Sequence, residues 1–138
     1  MDTIPERFGL WPRNSNFLQM VGPLYYRSDS DGLVFGLRID ERHANGRGIA
    51  HGGLLTTVAD LALGHNCGRL VGPTQTLFTT SLTIDFVASA MIGDWLETHT
   101  DVQQTGKRLG FANCYLTVGD RRIARASGIF SVIERKAA

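Results

Sequence analysis

The sequence has 138 residues, of which 43% are hydrophobic and 20% charged, and its formal net charge is +1. That length and composition suit one soluble globular domain with a single core. The balanced charge argues against a general polyanion binder, and no basic-aromatic platform for nucleic acid is present.

In chain order, the opening run MDTIPERFGLWPRN has no basic stretch followed by an apolar one, so no signal peptide is expected. NSNFLQMVG reads as a short helix with Asn14 or Ser15 as its cap. PLYYRSDSDGLVFGLRID reads as a hairpin, with turn chemistry at Ser30, Asp31 and Gly32. ERHANGRGIAHGG is polar and glycine-rich and reads as a loop.

One long helix follows, from about Gly53 to Leu70. Leu54, Leu55, Val58, Ala59, Leu61, Ala62 and Leu63 cover much of its circumference, which implies burial on most faces. Gly68, Gly72 and Pro73 supply the stop. Then come TQTLFTTSLTIDFVAS, DWLETHTDVQQTG, RLGFANCYLTVGD and RRIARASGIFSVIE, all strand-like, the last three spaced as an antiparallel meander. The expected architecture is α+β: an antiparallel sheet of five or six strands wrapped round one central helix.

Nowhere do about 18 apolar residues run together, so no membrane span is expected. Cys67 and Cys114 have neither metal-ligand spacing nor the look of a disulfide framework, and no metal-ligand cluster is apparent. A reducing, cytoplasmic compartment is the expectation.

Two features of the helical segment ask for a chemical reason. Asp60 is the only formally charged residue between His51 and Arg69, and a carboxylate among apolar neighbours is costly unless solvated or paired. Thr56, Thr57, Leu63 and Gly64 are its helical neighbours, so two hydroxyls and a glycine form a small polar notch. Asp60 is either a solvated edge residue or a functional acid. The turn His51-Gly52-Gly53 lets a backbone or ligand come close, and the free amides of a helix start suit a developing oxyanion. His51 itself reads more simply as a residue that shapes the turn. Asp60 lies nine residues beyond His51, roughly 13 Å along a helix axis. Within one chain that is too far for both to meet at one carbonyl. Either they do unrelated jobs, or a two-fold dimer brings Gly52 of one copy to Asp60 of the other.

Asn45, Gly48, His51-Gly52-Gly53 and Asp60, with the apolar helix around them, resemble hotdog-fold thioesterases of the phenylacetic-acid-degradation (PaaI-like) type. The order of elements from about Tyr25 to Glu134 matches as well, and TGKRLGFANCYL and RRIARASGIF resemble that family's last two strands. The resemblance implies a single hotdog domain over 1–138, with its core at about 24–134. It also implies a dimer, often a tetramer, that hydrolyses acyl-coenzyme A thioesters, with coenzyme A entering as part of the substrate and no cofactor.

By motif position, Asp60 is then the catalytic carboxylate, as general base or nucleophile, and the Gly52 N–H of the other subunit is the oxyanion donor. Asn45 and His51 position the thioester or water, and Thr79 assists, with Thr80 the alternative. Gly53 and Thr56 flank the substrate, and Leu54, Leu63 and Phe78 line the acyl pocket. Lys107 and Arg108 are the favoured phosphate contacts, ahead of Arg121, Arg122, Arg125, Arg135 and Lys136. Two other readings remain: a non-catalytic acyl-CoA or aromatic-ligand binding hotdog protein, and a hydratase or dehydratase of acyl thioesters using His51.

Overall fold

The computed structural model describes residues 3–135. Its elements are β1 (Gly9–Leu10), α1 (Asn16–Val21), β2 (Tyr25–Asp29), β3 (Gly32–Arg38), a 3-10 turn (Glu41–His43), α2 (Gly52–Gly68), β4 (Gln75–Phe86), β5 (Trp95–Thr105), β6 (Leu109–Val118) and β7 (Arg121–Glu134). The strands form one sheet in the order β1-β2-β3-β5-β6-β7-β4, every pair antiparallel. The sheet wraps round α2, which gives the α+β architecture expected.

Seven strands stand where five or six were expected. The additional one is β1, which pairs Gly9 and Leu10 with Tyr26 and Tyr25. Two residues are too short to show a strand period. The short helix is capped by Ser15, whose hydroxyl accepts from the Leu18 N–H at 3.2 Å. The loop before α2 carries the 3-10 turn and isolated bridges of Ala44 to Ala50 and Ile49 to Met91.

The core lies between α2 and the inner face of the sheet. On β6, Gly110, Ala112, Cys114 and Leu116 are buried while Phe111, Asn113 and Tyr115 are exposed, the period-2 pattern of a half-buried strand. Gly110, Ala112, Ala126 and Gly128 on the inner faces of β6 and β7 are small, which lets the helix approach closely there. A Cβ on Gly128 would stand 2.7 Å from the Phe130 ring and 3.2 Å from Leu63 Cδ1.

Burial on α2 covers a narrower face than expected. Leu54, Leu55, Val58, Ala59, Ala62, Leu63, Asn66 and Cys67 are buried, while Thr56, Asp60, Leu61, Gly64, His65 and Gly68 form a half-buried stripe. Asn66 fastens the helix to β3: its Oδ1 accepts from Leu33 N–H at 2.9 Å and its Nδ2 donates to Leu33 O at 3.0 Å. Among the described residues, no helix is long and apolar enough to cross a membrane.

Candidate active site

The start of α2 is built by His51. Its backbone is extended (φ −63°, ψ 137°), and its ring Nδ1 accepts from the Gly53 N–H at 2.8 Å. The His51 carbonyl accepts from Leu54 at 2.9 Å and Leu55 at 3.2 Å. The first helical amide, that of Gly52, has no hydrogen-bond partner among the described residues. It sits at the positive end of a 17-residue helix. The Phe86 ring packs over this glycine, and a Cβ there would stand 3.3 Å from Phe86 Cζ.

His51 is anchored from behind. Its N–H donates to His43 O at 2.8 Å, and the buried His43 ring meets Val21 O at 2.6 Å and the Asp40 N–H at 2.9 Å. Asn45 organises the same loop, its Oδ1 accepting from the Arg47 N–H at 2.8 Å. Gly48, at φ +77°, completes the turn in a conformation that favours glycine.

Asp60 lies on the half-buried stripe, and Thr79 Oγ1 donates to its Oδ1 at 2.7 Å. The hydroxyls beside it on the helix serve the backbone instead: Thr56 donates to Gly52 O at 2.8 Å and Thr57 to Gly53 O at 2.9 Å. Thr79 rather than Thr80 faces the acid because β4 has a bulge between Thr79 and Ser81 in its register with β7. Thr79 stands opposite the buried Phe130, whereas Thr80 bonds the Ser131 hydroxyl at 2.5 Å.

A cleft of about 580 Å³ opens beside Asp60. The helix supplies Leu61, Gly64, His65 and Gly68, β4 supplies Leu77 and Thr79, and Trp11 closes it from the N-terminal segment. The indole of Trp11 meets His65 edge-on at 5.0 Å and Phe35 at 4.9 Å. Burial holds the His65 imidazole below the usual histidine range, Arg13 pushes the same way, and Asp60 opposes both.

The other residues singled out in the sequence lie elsewhere. Leu63 is fully buried in the core, Leu54 is buried, and Phe78 stands opposite Ser131, facing away from Leu77 and Thr79. Lys107 and Arg108 are exposed at the β5–β6 turn, away from this cleft. Arg121 and Arg125 pair with Asp94 and Asp85, and Arg122 lies over the Tyr115 ring. Lys136 falls outside the described residues. Cys67 and Cys114 are free and buried, and burial pushes the Cys114 thiol up to about 11. Among the described residues, no three His, Cys, Asp or Glu side chains group to hold a metal ion.

Sequence reasoning passed over Trp11, Arg13, His65 and Arg69 as cleft residues. A helical wheel places Asp60, Leu61, Gly64, His65 and Gly68 on one stripe, so part of this signal was present. The N-terminal wall depends on tertiary packing and leaves no local pattern.

Among known proteins, the family model described as Thioesterase superfamily matches residues 47–124. The protein named "Putative esterase PA0474" of Pseudomonas aeruginosa is 45% identical over 131 residues, covering 94% of this chain and 98% of that protein. The PaaI protein of E. coli, from the phenylacetic acid degradation operon, superposes with a TM-score of 0.79 at 23% identity, over 91% of this chain and 89% of that one. The BH2602 protein of Bacillus halodurans, solved with CoA, gives a TM-score of 0.74 at 24% identity, over 80% of this chain and 74% of that one. At such identities the two structures speak to a shared fold.

Proposed function

The chain belongs to the thioesterase superfamily, and from that premise we propose that it hydrolyses acyl-coenzyme A thioesters to the free acid and coenzyme A, in the manner of the PaaI-like branch. The observation that carries this reading is the Asp60 carboxylate, oriented by Thr79 at the edge of a cleft large enough for an acyl group.

Asp60 Oδ1 is fixed by the Thr79 hydroxyl. Oδ2 is left to accept a proton from water as the water attacks the thioester carbonyl, or to attack that carbon itself. Negative charge then develops on the carbonyl oxygen, and the unpartnered Gly52 amide at the helix start suits it. The C–S bond breaks and coenzyme A leaves as the thiolate; the first route gives the free acid at once, and in the second water then hydrolyses the acyl–Asp60 anhydride to the acid and restores the carboxylate. No cofactor is asked for beyond the coenzyme A of the substrate. His51 holds the turn through its bond to Gly53, so Nδ1 is not free for the acid-base work of a hydratase.

Gly52 and Asp60 are eight residues apart on one helix, about 12 Å along its axis, so the proposed site takes its amide from a second copy. Strand β4 supports such a pairing: it is a 12-residue sheet edge whose outer side has no partner among the described residues. Phe78 at 59% exposure and Val87 at 72% lie on or just after it. We propose a two-fold dimer with two sites, and a tetramer as its further assembly.

The test is thiol release from aryl-, short- and medium-chain acyl-CoA by wild type and Asp60→Asn. Turnover by wild type and a loss of about a hundredfold or more in the variant, on the order of 3 kcal/mol of barrier, is the expected result. Tight binding without turnover in wild type would replace the hydrolase by a binding protein.

A further inference from the structure

The cleft beside Asp60 changes character along its length. Near the acid its walls are Leu61, Leu77 and Phe130. Farther along α2 it meets guanidinium groups. Arg69 caps the helix nine residues beyond Asp60, about 13 Å along the axis. Arg135 also lines the cleft, held at the loop after α2 by its side-chain bond to the Pro73 carbonyl. Arg13 lies over the Trp11 ring at 5.8 Å and faces the same space.

None of these three arginines forms a salt bridge with a described carboxylate, whereas Arg7, Arg27, Arg42, Arg121 and Arg125 do. Among the described residues, Asp60 is the only carboxylate lining the cleft, and the hydrolase reading assigns it to the reaction. Favourable interaction with the helix dipole accounts for Arg69 alone, because Arg13 and Arg135 lie on other segments. Each guanidinium carries five N–H donors. Arg69 uses one on Asp31 O at 2.9 Å. Donors therefore remain for an anion.

We propose that this cleft is the acyl pocket and that it accepts acyl groups bearing a carboxylate at the end remote from the thioester, held by Arg13, Arg69 and Arg135. The assignment rests on the hydrolase reading, since that reading puts the thioester carbonyl at Asp60. Leu61, Leu77 and Phe130 suit a hydrocarbon or an aryl ring. The Arg69 side chain and its hydrogen bond to the carboxylate cover part of that span. An acyl chain of about eight carbons, at ~1.2 Å per bond, has the right reach.

The experiment compares kcat/KM for suberoyl-CoA and octanoyl-CoA, which have equal length and differ in the terminal carboxylate. Wild type should prefer suberoyl-CoA by about tenfold or more, the size of one charge-assisted hydrogen bond. Arg13→Gln, Arg69→Gln and Arg135→Gln, each checked for fold by circular dichroism, should bring the ratio toward one. The same preference should persist in the N-acetylcysteamine thioesters, which lack phosphates.

Hydrolysis without a carboxylate preference overturns the pocket assignment and leaves the hydrolase reading standing. So does an arginine effect confined to the coenzyme A thioesters and equal for both acyl groups, which would mark a phosphate clamp. If no thioester is hydrolysed, calorimetric titration of Asp60→Asn with the two coenzyme A thioesters decides the matter. Tighter binding of suberoyl-CoA keeps the pocket while the hydrolase reading fails, and equal binding removes both.

Discussion

Thr79 and Thr80 are adjacent and chemically identical, yet only one reaches Asp60. Thr79→Val removes a hydrogen bond that orients the carboxylate. It should lower kcat by about tenfold, in line with one hydrogen bond to a charged group, and leave KM nearly unchanged. Thr80→Val should stay within about twofold, because its hydroxyl meets Ser131. Steady-state kinetics on both variants separates a positioning role from a general effect on the strand.

His65 offers a second residue-level test. Its imidazole is held below the ordinary value of 6.5, chiefly by burial. The unfolded chain therefore binds this proton more readily than the folded one. Stability is full above that value and falls as pH drops through the window beneath it. Thermal unfolding midpoints should decline from about pH 7 to about pH 5, and His65→Gln should flatten that slope. At this scale the sequence made Asp60 conspicuous by its apolar surroundings. It could not separate Thr79 from Thr80, because a bulge depends on the partner strand and has no local signature.

At the scale of the element, α2 does two separable things: its flank holds the acid and its start presents amides. Gly52 occupies the first helical position, where proline is well tolerated, and His51 already has the extended backbone that a following proline requires. Gly52→Pro deletes the N–H, while Gly52→Ala places a Cβ against Phe86 and keeps it. If the amide stabilises the oxyanion, kcat should be lower in the proline variant than in the alanine variant by about a hundredfold. Equal losses would assign the defect to packing against Phe86. The helix was legible from its apolar run and its glycine stops, and the hairpin and meander from turn residues and strand composition. Strand β1 and the Trp11 wall were not, since both exist only through contacts with β2, β3 and α2.

At the scale of the whole molecule, the proposed site spans two chains, and that has an arithmetic consequence. Asp60→Asn and Gly52→Pro each disable both sites of a symmetric dimer. A mixed dimer contains one site in which both changes fall together and one in which neither is present. Equilibrating the two inactive variants in equal amounts should therefore restore about a quarter of wild-type activity, since half the dimers are mixed and each has one intact site. No recovery on exchange, with mixed dimers verified by mass spectrometry, would place the amide and acid in independent roles.

The bulge in β4 also divides that strand into two halves with opposite facing. Before it, Leu77 and Thr79 turn toward the helix; after it, Leu82, Ile84 and Phe86 do, standing opposite Gly128, Ala126 and Ala124. Without the bulge, the same residues in strict alternation would force a choice. Either Thr79 turns outward and Thr80 takes its place beside Asp60, or Leu82 and Ile84 leave the core for water. The extra residue at Thr80 is what lets one strand meet both demands, one chemical and one of packing. Deleting Thr80 should leave a straight strand in which Thr79, Leu82 and Ile84 still share the inner face.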